Sequence, residues 1–203
     1  MDVTIIGTGN MARGIGSRVL AGGHGLTIVG RKPESAEQVV ADVGGGSVSD
    51  SPAGDVVVLA VYYRDAREAA EQHREQLSGK IAVDISNPVN ESFDALVVPP
   101  DSSATRELAA LVPDARWVKA FNTTFANTLA AGDVSGQPLD VLIAGDDEEA
   151  KNAVATLARD GGLRPVDTGG LTRARELEAA GLLHMGVQQT LGTGFGSALK
   201  IIA

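Results

Sequence analysis

The sequence predicts an α/β protein: a doubly wound, mostly parallel sheet followed by a C-terminal helical segment. Three observations carry this. Short apolar runs alternate with helical patterns along most of the 203 residues. The first run, Val3-Thr4-Ile5-Ile6, opens directly into Gly7-Thr8-Gly9-Asn10-Met11-Ala12. The stretch Asp55–Val61 is almost wholly apolar, as expected of a strand buried on both faces.

In order, helix is expected over Met11–Ala21, strand over Leu26–Val29 and helix over Glu34–Val43. A Gly/Ser-rich loop, Gly44–Gly54, has room for one short strand near Ser47–Ser49. After the strand Asp55–Val61, the polar, Ala/Glu-rich stretch Arg64–Leu77 reads as one solvent-facing helix, and Lys80–Ile85 as a strand. Helix follows over Ser103–Leu111, strand over Arg116–Phe121 and Leu139–Ala144, helix over Glu148–Arg159 and an edge strand over Leu163–Val166. Leu171–Leu191 is helical again, with Leu171, Ala174, Leu177, Leu182 and Met185 spaced for one apolar face. The natural division is a dinucleotide-binding body, residues 1–168, and a helical segment, 169–203, packing on the body or on a second subunit.

Gly7-Thr8-Gly9-Asn10-Met11-Ala12 has the G-x-G-x-x-A form of the Rossmann dinucleotide fingerprint. Gly7 permits the tight turn, Gly9 lets the backbone approach a pyrophosphate, and Ala12 keeps the helix close to the sheet. The free N–H groups of the helix start then face the phosphates. The end of the second strand selects the nucleotide. An NAD site places Asp or Glu there to accept from the ribose hydroxyls. This chain has Gly30-Arg31-Lys32, so a phosphorylated ribose is favoured and NADP(H) is expected over NAD(H).

Other expected ligand contacts lie at the carboxyl ends of later strands. Val61 and Tyr62 follow the third long strand, Asn87 the next, and Asn122, Thr123 and Thr124 the one after. Tyr at a strand end also packs, and Asn also favours turns for its own sake. Asp84 and Asp167, near strand ends, read as turn or helix caps.

Composition excludes much else. The formal net charge of −9 disfavours nucleic acid and anionic membranes as partners. With no cysteine, disulfides, thiolate nucleophiles and cysteine-ligated metals are absent, and the three histidines lack metal-ligand spacing. No metal site is expected. No apolar run is long enough to cross a bilayer and no secretory leader is visible, so a cytoplasmic location is expected.

Beyond the glycine motif, Val29-Gly30-Arg31, Val83-Asp84-Ile85-Ser86-Asn87-Pro88, Val118-Lys119-Ala120-Phe121-Asn122, Ala144-Gly145-Asp146-Asp147 and Pro165-Val166-Asp167-Thr168-Gly169 occur in order. With these, the chain resembles the deazaflavin (coenzyme F420)-dependent NADP oxidoreductases and the related STEAP-type NADPH reductase domain. Gly192-Thr193-Gly194 and Lys200 resemble the end of the soluble deazaflavin enzymes. The resemblance implies hydride transfer between NADP(H) and a deazaflavin, or FMN or FAD, as second redox partner, and a homodimer. It implies that Gly7, Thr8, Gly9, Asn10 and Met11 hold pyrophosphate and ribose, that Arg31 holds the 2′-phosphate with Lys32 beside it, and that Asn122, Thr123 and Thr124 sit near the reacting rings. The chain departs from the deazaflavin pattern in having one Gly fewer in the first loop, Gly30 before Arg31, and Asn122 where that family commonly has His. The STEAP membrane domain is not expected in this chain. The cofactors carry the chemistry, so no catalytic acid or base is expected. Two other readings remain: a small imine or pyrroline-carboxylate reductase, and a non-catalytic NADP(H)-sensing module.

Overall fold

The computed structural model describes residues 1–202. Its sheet grows from strands that are buried on both faces. In β4 (Val56–Leu59), Val56 and Val58 point into one apolar layer, and Val57 and Leu59 into the other. Beside β4 lie β1 (Asp2–Ile6), β2 (Gly25–Val29) and β3 (Ser47–Ser49) on one side, and β5 (Ile81–Asp84) and β6 (Arg116–Lys119) on the other. All these pairs are parallel, in the doubly wound order β3-β2-β1-β4-β5-β6. The sheet continues through β9 (Asp140–Gly145) to the edge strand β10 (Arg164–Asp167). β9 runs antiparallel to β6, pairing Val118 with Gly145.

Helices α1 (Asn10–Ala21) and α2 (Pro33–Val43) cover one face, where Ile15, Val19 and Val39 meet Ile5, Ile28 and Val58. Helix α7 (Glu148–Asp160) adds Val154 and Leu157 to that layer. The other face is covered by α3 (Tyr63–Gln72), α4 (Arg74–Leu77) and α5 (Ala104–Leu111). The expected single helix over Arg64–Leu77 breaks at His73, whose φ of −107° and ψ of 21° leave helical geometry while its side chain is buried. A short helix α6 (Ala126–Ala131) and a two-residue hairpin, β7 (Asp133–Val134) and β8 (Gln137–Pro138), fill the connection that carried no periodic signal. Among the described residues, no helix is long and apolar enough to cross a membrane.

The C-terminal segment forms a 3₁₀ turn at Leu171–Arg173, then α8 (Ala174–Gly186) and α9 (Gln188–Leu191). Leu171, Ala174 and Leu177 reach apolar layers of the body. Leu182 and Met185, expected on the same face, are only half-buried; Glu178, Gly181, His184 and Gln188 occupy the buried side instead. The reason is electrostatic. Lys119, at the end of β6, is fully buried and needs anions there. Its Nζ donates to Asp84 Oδ2 at 2.8 Å, to Glu178 Oε1 at 2.9 Å and to the Ser86 carbonyl at 2.5 Å. Asp84 also accepts from Thr105 Oγ1 at 2.7 Å and from the Ser86 N–H at 2.9 Å. It does cap the turn after β5 as expected, but its larger role is as the buried counter-ion of Lys119. Asp167 caps Gly169 N–H at 2.8 Å and pairs with Lys151 at 2.9 Å.

After α9 the tail returns to the far edge of the sheet. Lys200 Nζ and the Ile201 N–H each meet Asp140 at 2.8 Å, Arg164 Nε meets it at 2.7 Å, and Arg164 also donates to the Ile201 carbonyl. Burial pushes the Asp140 carboxyl up, but Arg164, Lys200 and the Ile201 N–H outweigh it and hold the group below the usual carboxylate range.

Two outcomes follow. Burial raises the Glu178 carboxyl against the opposing pull of Lys119. Glu178→Gln keeps an oxygen acceptor for Lys119 and the Ala104 N–H and so costs less than Lys119→Met, which strands the buried Asp84 carboxylate and costs about 3–5 kcal/mol in urea unfolding. Equal losses would refute this ranking. For Asp140, a folded pKa below the unfolded one gives stability that is present above about pH 4 and is lost as pH falls. Asp140→Asn thus lowers Tm at pH 7, and its deficit against wild type shrinks towards pH 2. A deficit independent of pH would refute the assignment.

Candidate dinucleotide and acceptor site

The doubly wound order reverses between β1 and β4, and the loops leaving their carboxyl ends open the crevice where such sheets bind ligands. Gly7 is wedged there. Its N–H donates to Val29 O at 2.9 Å, and the next strand's Ala60 N–H donates to Ile6 O at 2.8 Å. Gly7 has φ of +131°, and a Cβ on it would sit 2.3 Å from Ala60 O. No side chain fits, so the turn is tight by necessity. At Gly9, the N-cap of α1, a Cβ would meet nothing within 4 Å. That open side, beside a helix start with no side-chain cap and no acid in its first turn, is the shape and polarity a pyrophosphate requires. Ala12 is fully buried.

Thr8 leans on Gly30, where a Cβ would come within 2.6 Å of Thr8 Cγ2. The glycine before Arg31 is thus what lets the first and second loops touch. Arg31 and Lys32 lie exposed at the start of α2, and neither side chain makes an ion pair or hydrogen bond among the described residues. Both are available to a phosphate. Glu34 is exposed as well. Asn10 is exposed, while Met11 is half-buried against the core. Val61 is half-buried next to Gly7, and Tyr62 is 75% exposed, with its ring 5.3 Å from the Arg64 guanidinium.

The loops after β5 and β6 are joined side by side. Asn87 Nδ2 donates to Asn122 O at 2.8 Å, and Asn122 Nδ2 donates to Asn87 Oδ1 at 2.9 Å and to Leu177 O of α8 at 2.8 Å. Asn122, Thr123 and Thr124 are all buried. The Thr124 hydroxyl donates to Phe121 O at 2.7 Å, closing a turn at Phe121, which holds a φ of 61° unusual for an aromatic residue. Asn122 Oδ1 is buried and without a partner.

Sequence reading missed Arg13. From α1 its Nη1 reaches Thr8 O at 2.7 Å and its Nε reaches Asp42 Oδ2 at 2.6 Å, bracing the glycine loop against α2. A cation one turn into a fingerprint helix carries no recognisable pattern. His184 is buried; its Nδ1–H donates to Thr123 O (3.1 Å), its Nε2 meets Ser197 Oγ (2.8 Å), and burial pushes its pKa down.

Against known proteins, a family model described as "NADP oxidoreductase coenzyme F420-dependent" matches residues 2–88. The F420-dependent NADP reductase of Methanocaldococcus jannaschii is 31% identical over 96% of this chain and 96% of that protein. Metalloreductase STEAP3 of Rattus norvegicus is 34% identical over 87% of this chain, which spans only 36% of the length of that protein. A crystal structure from Arthrobacter sp. FB24, assigned as an F420-dependent NADP-reductase, superposes with a TM-score of 0.89 at 26% identity over the whole of both chains. With the glycine cradle, the free cations after β2 and likeness along nearly its full length, this chain belongs to the F420-dependent NADP reductase family of NADP-dependent oxidoreductases.

Proposed function

We propose that the chain transfers hydride between NADP(H) and a deazaflavin coenzyme of the F420 type. The observation that carries this is the cradle at Gly7–Gly9, open towards an uncapped helix start and flanked by Arg31 and Lys32 where an NAD site would hold a carboxylate.

When bound, NADPH supplies a hydride from its nicotinamide ring. The chain's residues bind, orient and exclude water. The N–H groups at the start of α1, with Thr8, Asn10 and Met11 around them, take the pyrophosphate and ribose. Arg31 and Lys32 take the 2′-phosphate. Val61 and Tyr62 flank the crevice. The Asn87–Asn122 pair holds the two later loops at a fixed separation. Thr123 and Thr124 shape the floor of the acceptor side. Placing two rings at about 3–3.5 Å in a dry cleft needs rigid walls more than a proton relay. A second reading, with FMN or FAD as acceptor, is favoured by the likeness to the metalloreductase and by Asn122 standing where the deazaflavin pattern commonly has His.

The test follows NADPH and NADH oxidation by wild type and by Arg31→Ala, with the deazaflavin coenzyme, FMN and FAD in turn. Turnover with the deazaflavin is expected, and Arg31→Ala should raise KM for NADPH about tenfold or more while leaving NADH nearly unchanged, since a charge-assisted contact to phosphate is worth about 1.5–3 kcal/mol. Turnover with flavins alone selects the second reading. Normal NADPH binding with no turnover would leave a nucleotide-sensing module. Leu183 and Leu191, exposed on the C-terminal helices, supply the apolar surface for a homodimer in this reading. Sedimentation at micromolar concentration should give twice the chain mass; a monomer would refute it.

A further inference from the structure

The tail beyond α9 makes a turn that is costly for its sequence. The Gly196 N–H donates to Thr193 O at 3.0 Å, and the two central residues, Gly194 and Phe195, have φ of 56° and 64°. Positive φ at both central positions belongs to a turn that favours Gly, Asn or Asp, and the second position here is Phe. The turn is clamped from both sides. Thr193 Oγ1 donates to Gln188 Oε1 at 2.6 Å, and Ser197 Oγ meets His184 Nε2 and Gln188 Nε2, both at 2.8 Å. Further on, Lys200 and Ile201 are fixed at Asp140. A bulky residue persists in such a conformation only where its surroundings over-determine it, and such positions cluster at functional sites.

What the clamps hold in place is a ring. Phe195 stays 49% exposed and meets Phe125 edge to face, with centroids 5.1 Å apart. Phe125 follows Thr124 directly and lies over the His184 imidazole, with centroids at 4.2 Å. His184 in turn bonds Thr123 O. Phe195 is therefore the outermost member of an aromatic stack built on the loop Asn122–Thr124.

We propose that Phe195 is an acceptor-binding residue: its exposed ring, set by the clamped tail beside the loop after β6, stacks on the flat tricyclic ring of the hydride acceptor. The inference rests on the acceptor side of the proposed function and adds the tail to it. Flat heterocycles stack on aromatic rings whatever their substituents, so Phe195 contributes to affinity for deazaflavin and flavin alike and none for NADP(H).

The experiment titrates the intrinsic fluorescence of the deazaflavin coenzyme and of FMN with NADP⁺-loaded protein. The proteins are wild type, Phe195→Ala, Phe195→Asn and Phe195→Trp, with Tm and the NADPH Kd measured alongside. Loss of one stacking contact is expected to weaken acceptor binding roughly 5- to 100-fold in Phe195→Ala and Phe195→Asn. The NADPH Kd stays unchanged, and Phe195→Trp restores acceptor binding. Asn suits the turn better than Phe, so Phe195→Asn keeps or raises Tm; a packing role would lower it. Acceptor binding in Phe195→Ala and Phe195→Asn equal to wild type overturns this inference and leaves the proposed function standing. No quenching of any acceptor by wild type overturns both.

Discussion

A single buried ammonium orders this molecule. Lys119 ends β6 with no exposed surface, and every group it touches belongs to a different element: Asp84 closes β5, Ser86 starts the loop beyond it, and Glu178 sits one turn into α8. Removing three ionisable groups from water is costly unless their hydrogen bonds are well made. Here nearly all are made. Glu178 Oε1 also accepts the Ala104 N–H at 3.0 Å, tying the start of α5 to the same point. The cluster thus fixes, from below, the separation of the two loops whose asparagines bond to one another above it. Glu178 Oε2 and Ser86 Oγ stay unpartnered in the same interior.

The sheet was legible because its strands are runs of Val, Ile and Leu with a clear length, and because the glycine motif fixes which strand comes first. The proposed nucleotide end leaves its mark in the same way: tight turns and missing Cβ atoms leave glycine in the sequence, and Arg31 and Lys32 stand where an NAD site would hold an acid. The acceptor end was only half legible. Asn122, Thr123 and Thr124 were visible as a polar strand-end loop, but nothing in that string says that Asn122 spends its amide on Asn87 and Leu177. The face of α8 was misread because Leu182 and Met185 have the right spacing, whereas the true buried side is set by partners far away in sequence, above all Lys119. Long-range charge pairing leaves no period to detect. The same holds for Arg13, whose partners lie on a neighbouring loop and helix.

The surface charge and the site pull in opposite directions. A chain of net charge −9 repels the anionic coenzymes it is built to take, so attraction must be local. It comes from uncapped backbone N–H groups and from two arginine and lysine side chains with no internal partners. Several other cations are committed: Arg116 to Asp147, Arg164 and Lys200 to Asp140, Lys151 to Asp167. Arg31 and Lys32, adjacent in sequence and without partners among the described residues, keep two positive charges together where a 2′-phosphate would be read.

The antiparallel step between β6 and β9 has a consequence for how the protein is made. Six strands, from β3 across to β6, are complete once residue 119 has been synthesised. The partners that finish the site come much later: Leu177 for Asn122, Glu178 for Lys119, and His184 for Thr123. At typical elongation rates of about 5–20 residues per second, the nascent chain waits on the order of 3–12 s between Lys119 and Glu178. During that interval the ammonium has only Asp84 and the Ser86 carbonyl, and the surface later covered by α8 is open. The nucleotide half of the crevice thus exists before the acceptor half does.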